Sequence, residues 1–257
     1  MGLAAIALDI RNLNKIFGGL RAVNDVSFSV PAGTLTAVIG PNGAGKTTLF
    51  NLVTNIYRAD SGDVRFFDRS ILGLAPTEVA AQGLIRTFQS ARVFPGMTAL
   101  ENVMSGAHMH VRAGAAAQML LLGRARREEA RLRERATALL DLVGLSGFAD
   151  AAATDLPMGG QKLLEVGRAM MAEPRLLLLD EPAAGLNDSE TAELAELLRA
   201  IRDAGTTVMV VEHNMALVMG VADEVVVLDA GAVVTVGTPA QIQADPRVIA
   251  AYVGDEV

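Results

Sequence analysis

Gly40-Pro41-Asn42-Gly43-Ala44-Gly45-Lys46-Thr47-Thr48 lies between an apolar run, Leu35–Ile39, and a segment of helix-forming residues that begins at Lys46. The pattern G-x-x-x-x-G-K-[ST] after a buried strand and before a helix is that of a phosphate-binding loop. Its glycines let backbone N–H groups turn inward onto phosphate oxygens, Lys46 supplies a point charge to the outer phosphates, and Thr47 offers a hydroxyl to Mg²⁺. The positive end of the following helix adds to the same site. Gly40, Asn42, Gly43, Ala44, Gly45, Lys46, Thr47 and Thr48 are therefore the expected contacts of a nucleoside triphosphate.

Outward from this loop, buried strands of the continuous apolar kind are predicted at Leu35–Ile39, Leu176–Leu179, Val208–Val211 and Val225–Leu228. Helices are predicted at Lys46–Asn55 and Ser189–Asp203, the second capped by Asp188 and ended at Gly205. Such alternation implies an α/β fold with a mostly parallel sheet. Asp9–Leu13, Asp25–Val30 and the pair Val225–Leu228 and Ala232–Val236, joined through Asp229-Ala230-Gly231, read as added antiparallel strands. Between about Phe94 and Gly167 the texture changes to helix formers. Thr98-Ala99-Leu100-Glu101 has the form of a capping box, and Arg124–Leu142 is a long amphipathic stretch with a solvated charged face. This part reads as a helical subdomain inserted into the core.

The 257 residues suit one large domain, and 51% hydrophobic residues supply a sizeable core. With no cysteine, disulfides and thiolate metal sites are excluded. The best apolar candidate for a membrane span, Thr206–Ala222, is broken by Glu212, His213 and Asn214. The first residues lack the pattern of a secretory signal, so secretion is not expected. A net charge of −7, two Tyr and no Trp argue against nucleic acid as a partner.

Leu176-Leu177-Leu178-Leu179-Asp180-Glu181 places an acidic pair at the carboxyl end of a buried strand, the end that faces the ligand crevice in a parallel sheet. Asp180 is suited to hold Mg²⁺ through its water shell. Glu181 is placed to orient and polarise a water that attacks the γ-phosphate.

With these residues in order, the chain resembles the ATP-binding subunit of an ABC transporter over nearly all of its length. Gln89 in Arg86-Thr87-Phe88-Gln89 falls where that family has its Q-loop glutamine, which touches both the metal and the attacking water. Pro157-Met158-Gly159-Gly160-Gln161 falls where the family has its signature, and Ala184-Gly185-Leu186-Asn187 looks like the D-loop. His213 matches the switch histidine and Phe17 the aromatic that stacks on adenine. Two departures stand out: Pro157 replaces the usual Ser, removing a hydroxyl contact to the γ-phosphate, and Asn187 replaces the usual Asp. Within the family, the stretches Arg92–Val103, Glu181–Asn187 and Gly237–Ile249 are similar to the ATPases of branched-chain amino acid importers, which implies an importer of branched-chain or other small amino acids, a likeness specific to the subfamily and not to the solute.

The resemblance implies a P-loop ATPase with an antiparallel β subdomain and an inserted helical subdomain at about 94–167, all within one ATP-binding domain over 1–257. It implies ATP and Mg²⁺ as ligands, catalytic roles for Glu181, His213 and Gln89, and metal contacts from Thr47, Gln89 and Asp180. It further implies a second ATP-binding subunit whose signature completes the site, transmembrane permease subunits docking near Gln89 and Ser90–Met97, and an indirect solute-binding protein. The corresponding address is the cytoplasmic face of the inner membrane, as a peripheral subunit. The rival reading is a soluble ABC ATPase acting as a switch on nucleic acid or ribosomes. Such a protein would usually bring a second cassette, a long coiled insertion or a basic arm.

Overall fold

The computed structural model of the chain describes residues 5–87, 93–109 and 123–253. In chain order its strands are β1 (Ile6–Phe17), β2 (Leu20–Pro31), β3 (Leu35–Ile39), β4 (Ser61–Phe66), β5 (Arg69–Ser70), β6 (Leu84–Arg86), β7 (Leu176–Asp180), β8 (Thr207–Val211), β9 (Glu224–Asp229) and β10 (Ala232–Gly237). Its helices are α1 (Lys46–Val53), α2 (Pro76–Ala81), α3 (Ala99–Ser105), α4 (Gly123–Leu142), α5 (Met158–Met171), α6 (Asp188–Asp203), α7 (Met215–Val221), α8 (Pro239–Ala244) and α9 (Pro246–Val253). The chain divides into two compact units, one comprising Met1–Arg86 with Arg175–Val257 and the other Thr87–Pro174. The helix-rich stretch expected at about 94–167 falls within the second unit.

The first unit holds two sheets. One is antiparallel, in the order β2-β1-β4-β5; the other is β10-β9-β3-β8-β7-β6, parallel except for β10. Every residue of β3, β7 and β8 is buried, which is why these strands read as near-continuous apolar runs, interrupted only by Thr36, Asp180 and Thr207, rather than alternating ones. Val38 is level with Val211, and Val211 with Asp180. This register brings the residues that follow, Gly40, Glu212 and Glu181, out at the same carboxyl edge, where an open parallel sheet binds its ligands. Leu49, Phe50, Leu52 and Val53 of α1 are fully buried in the core. Each such side chain contributes about 1.5–3 kcal/mol relative to exposure, which anchors the helix that begins at the loop.

The turn between β9 and β10 has Ala230 at φ 42° and Gly231 at φ 81°, with Asp229 paired to Ala232. Two successive positive φ values are the twist-matched two-residue hairpin. Strands β4, β5 and β6 were not among the predicted elements. Strands β5 and β6 are only two and three residues long, and β4 carries Gly62, whose missing Cβ lets it pass β1 closely: a Cβ there would sit 2.4 Å from the Asn12 carbonyl oxygen. Helix α6 corrects a further expectation. Its cap is Asn187, whose side chain accepts from Glu190 N at 3.0 Å, while Asp188 is already the first helical residue.

The second unit is helical among its described residues, apart from the isolated bridge between Thr98 and Ala152. The capping box forms as expected: Thr98 Oγ1 accepts from Glu101 N, and Glu101 Oε2 accepts from Thr98 N at 2.8 Å. Buried Asn102 accepts from Phe94 N at 2.8 Å and so ties the entering chain to α3. Helix α4 buries Ala136 and Leu140 and exposes most of its charges. Gly106 lets the chain pass α5 closely, since a Cβ there would lie 2.0 Å from the Arg168 carbonyl oxygen.

Candidate nucleotide-binding site

The loop after β3 is built from backbone that side chains would block. Gly40 has φ 152° and Gly45 φ 96°; a Cβ on the first would lie 2.0 Å from Leu228 O, and on the second 2.3 Å from Ala22 O. Gly45 is the cap of α1 and supplies no side-chain hydrogen bond, so the first N–H groups of the helix are not capped by a side chain. Lys46 is 8% exposed, and its Nζ donates to Gly40 O at 2.7 Å and Pro41 O at 2.9 Å. An ammonium has three donors, so the loop orients the group with two and leaves a third. Burial pushes the Lys46 pKa down, and the charges of Glu181 and Asp180 act in the opposite direction. A buried cation beside uncapped helix N–H groups is a setting for a polyanion. Asn42, Gly43 and Thr47 are exposed at the loop's outer surface, and Thr48 is half-buried.

Asp180 ends β7 with its side chain 3% exposed, and its Oδ2 accepts from Arg86 Nη2 at 2.7 Å. Its Oδ1 is buried with no hydrogen-bond partner among the described residues. A buried carboxylate oxygen left without a donor costs about 1–3 kcal/mol or more, which a divalent cation or its water would offset. The residues present therefore fit Mg²⁺, with Asp180 and Thr47 as the protein groups that would hold it. Glu181 follows at φ 48°, a region that a non-glycine residue enters at a cost. Its N–H donates to Val211 O at 2.9 Å, so the strain is held by the neighbouring strand.

Sequence reasoning missed Glu212. It is fully buried at the end of β8, and its carboxylate accepts from the N–H groups of Ala183 (2.7 Å), His213 (3.0 Å) and Asn214 (3.2 Å). One side chain thus ties the segment after Glu181 to the segment carrying His213, whose own side chain is exposed. The signal was present: like Asp180, Glu212 is a carboxylate at the carboxyl end of an apolar strand. Arg86 and Tyr57 were missed as well. Phe17, 41% exposed, meets Tyr57 edge to face with ring centroids 5.4 Å apart, and Lys15 Nζ lies 5.1 Å from the Phe17 centroid. An aromatic face held in this way is suited to a flat heterocycle. Gln89 lies outside the described residues.

In the second unit, Pro157 caps α5 at φ −58° and ψ 161° with no side-chain hydrogen bond, and Met158 is 62% exposed. Gly159 and Gly160 are buried. The Gln161 side chain is turned back on its own chain, donating to Leu156 O at 2.8 Å and Thr154 O at 3.4 Å. The start of this helix therefore presents backbone and a methionine rather than charge.

A family model described as ABC transporter matches residues 23–184, and one described as branched-chain amino acid ATP-binding cassette transporter matches residues 232–257. The high-affinity branched-chain amino acid transport ATP-binding protein BraF of Pseudomonas aeruginosa is 43% identical over 249 residues, covering 96% of this chain and 98% of its own. LivG of Escherichia coli, of the same description, is 40% identical over the same lengths. Among solved structures, the ADP conformation of an ATP-binding cassette of an ABC transporter matches with TM-score 0.83 at 31% identity, over 97% of this chain and 99% of that one. A nucleotide-free cassette matches with TM-score 0.80 at 30% identity, over 97% and 100%.

Proposed function

This chain belongs to the ATP-binding proteins of ABC transporters, which bind and hydrolyse ATP to power transport, and we propose that it drives an importer of branched-chain amino acids. The match of the C-terminal residues to the branched-chain amino acid model and the names of the relatives support this solute class. The soluble-switch reading gains no support from them. The observation that carries the chemistry is the convergence, at one edge of the sheet, of buried Lys46, the half-partnered carboxylate of Asp180 and the strained Glu181.

In this reading the N–H groups of the loop and Lys46 bind the β- and γ-phosphates, and Phe17 stacks on adenine. Mg²⁺ would be held by Thr47, Asp180 and Gln89 and would neutralise phosphate charge. Glu181 accepts a hydrogen bond from the attacking water and draws its proton away as the water oxygen bonds to the γ-phosphorus and the bond from that phosphorus to the β–γ bridging oxygen breaks, giving phosphate with ADP as the leaving group. Glu212 keeps His213 at the mouth of the site, where the imidazole can hydrogen-bond the γ-phosphate, and Gln89 orients the water. Pro157, Met158, Gly159, Gly160 and Gln161 of a second ATP-binding subunit, identical or related, close over the γ-phosphate. Closure and reopening move the permease subunits between access states, and a solute-binding protein delivers the amino acid to them. None of the described helices is long and apolar enough to cross a membrane; the chain works as a peripheral subunit on the cytoplasmic face.

The test is uptake of radiolabelled leucine, isoleucine and valine by cells lacking the gene, complemented with the wild type or with Glu181→Gln. Wild type restores uptake and the variant does not. Restored uptake of a chemically different solute, with leucine uptake unaffected by the gene, would overturn the assigned solute while leaving the ATPase in place.

A further inference from the structure

Arg86, the last residue of β6, is bound on two sides. Toward β7, Nη2 donates to Asp180 Oδ2 at 2.7 Å, with the two side chains 10% and 3% exposed. Toward α1, Nη1 donates to Asn51 Oδ1 at 2.7 Å and lies 3.4 Å from Thr54 Oγ1, while the guanidinium carbon stands 5.6 Å from the Phe50 ring centroid. Phe50 and Asn51 belong to α1 and Thr54 caps its end, so Arg86 is held by the helix that begins with Lys46 and Thr47. Asp180 Oδ1 and Arg86 Nε, both buried, have no hydrogen-bond partner among the described residues.

A guanidinium is a planar fork, and this one is fixed by an amide and a ring face, so it dictates where the carboxylate sits and not the reverse. Bound through Oδ2, Asp180 is confined to an orientation that keeps Oδ1 unpaired. As a device for stability the pair is poor, because desolvating two charges offsets most of their attraction and an apolar pair would serve as well. As a device for position it is apt: a rigid bracket runs from the phosphate-binding helix to the carboxyl end of β7, two strands away from β3.

We infer that Arg86 is a positioning residue of the cation site: it couples α1 to Asp180, sets Thr47 and Asp180 in register, and reserves Oδ1 for the cation or its water. This rests on the Mg²⁺-ATP reading above. Outer residues that orient a metal-binding group typically cost about 10- to 100-fold in metal affinity when removed, and Arg86 falls in that class although it bears the same sign of charge as the metal.

The experiment titrates Mn²⁺ by electron paramagnetic resonance into the purified full chain with a non-hydrolysable ATP analogue, so no turnover is needed. Arg86→Met is expected to weaken Mn²⁺ binding in the nucleotide complex by about 10- to 100-fold, with metal-free binding of the analogue, measured in EDTA, changed far less. Arg86→Lys should recover part of the loss, since it keeps the charge but not the fork. Asn51→Ala, which loosens the anchor and leaves the ion pair, should shift Mn²⁺ binding the same way by a smaller factor and serves if Arg86→Met does not fold. Unchanged Mn²⁺ affinity in these folded variants would reduce Arg86 to a packing role. Tighter Mn²⁺ binding would make it a competing cation, and either result overturns the inference. Absence of Mn²⁺-dependent analogue binding in the wild type would instead sink the Mg²⁺-ATP reading.

Discussion

Helices α1 and α5 both begin without a side-chain cap, in opposite electrostatic settings. At α1 the cap is Gly45, the first helical residue is a buried lysine held by two loop carbonyls, and the carboxylates of Glu181 and Asp180 act on its charge. At α5 the cap is Pro157, and the first turn, Met158 to Gln161, has no charged residue and one amide that is spent on its own backbone. The first start holds a cation, backbone donors and a metal-fitting carboxylate in one unit, enough to bind a triphosphate. The second offers only N–H groups at the start of a helix, a weak contribution that gains value when an anion is brought to it. In the proposed dimer that division gives affinity to one subunit and the closing signal to the other. Pro157 sharpens it. A Ser cap would direct its oxygen to the N–H of Gly159 or Gly160, whereas Pro leaves those donors open.

The comparison is tested most severely at Glu181. Glu181→Gln keeps the shape but loses the carboxylate, and turnover should fall by about 10²- to 10⁴-fold while ATP affinity stays near that of the wild type and an ATP-bound dimer accumulates. Single-turnover hydrolysis and size exclusion with ATP check this. Near-normal turnover would move the chemistry to another group. Lys46→Ala removes a charge-assisted contact worth about 1.5–3 kcal/mol, so ATP affinity should drop about 10- to 100-fold by titration calorimetry. Loss of affinity is the mark of the first helix start.

Gly159→Asp probes the second start. In the proposed dimer it places a carboxylate where a γ-phosphate would arrive only on closure, so like charges would oppose dimerisation. ATP binding by the isolated chain should be nearly normal, with ATP-dependent dimerisation and steady-state turnover lost. If affinity falls as it does in Lys46→Ala, the division between the two helices is wrong. Glu212→Gln replaces one acceptor oxygen by a donor facing backbone N–H groups and should cost about 1–3 kcal/mol of stability by denaturant titration, with a smaller effect on ATP affinity. Pro157→Ser is the mildest: it should stabilise α5 by about 0.5–1 kcal/mol and change turnover little.

The parts of the fold that were legible share one property, that a local stretch carries its own instructions. The apolar run of β3 needed no partner to be recognised, the Thr98–Glu101 box closes within four residues, and the Ala230-Gly231 hairpin announces itself by its glycine. Strands β5 and β6, two and three residues long, carry too few positions for a period to show. The cap of α6 was misplaced by one residue because Asn187 and Asp188 are equally good acceptors in sequence; the extended backbone at Asn187, φ −80° and ψ 176°, decides between them.

By itself the sequence determined which chemical groups this protein owns and their order: the glycine-rich loop with Lys46, the acidic pair at Asp180 and Glu181, and the second acidic strand end at Glu212. Only the tertiary structure decided how those groups are oriented. Arg86 and Asp180 are 94 residues apart, and they meet because β6 pairs with β7; Glu212 reaches Ala183 because β7 pairs with β8. Local periodicity records whether a residue faces a core, but the strand order that brings two distant side chains within a hydrogen bond is set by the packing of the whole sheet, and with it the Asp180 oxygen that has no partner among the described residues.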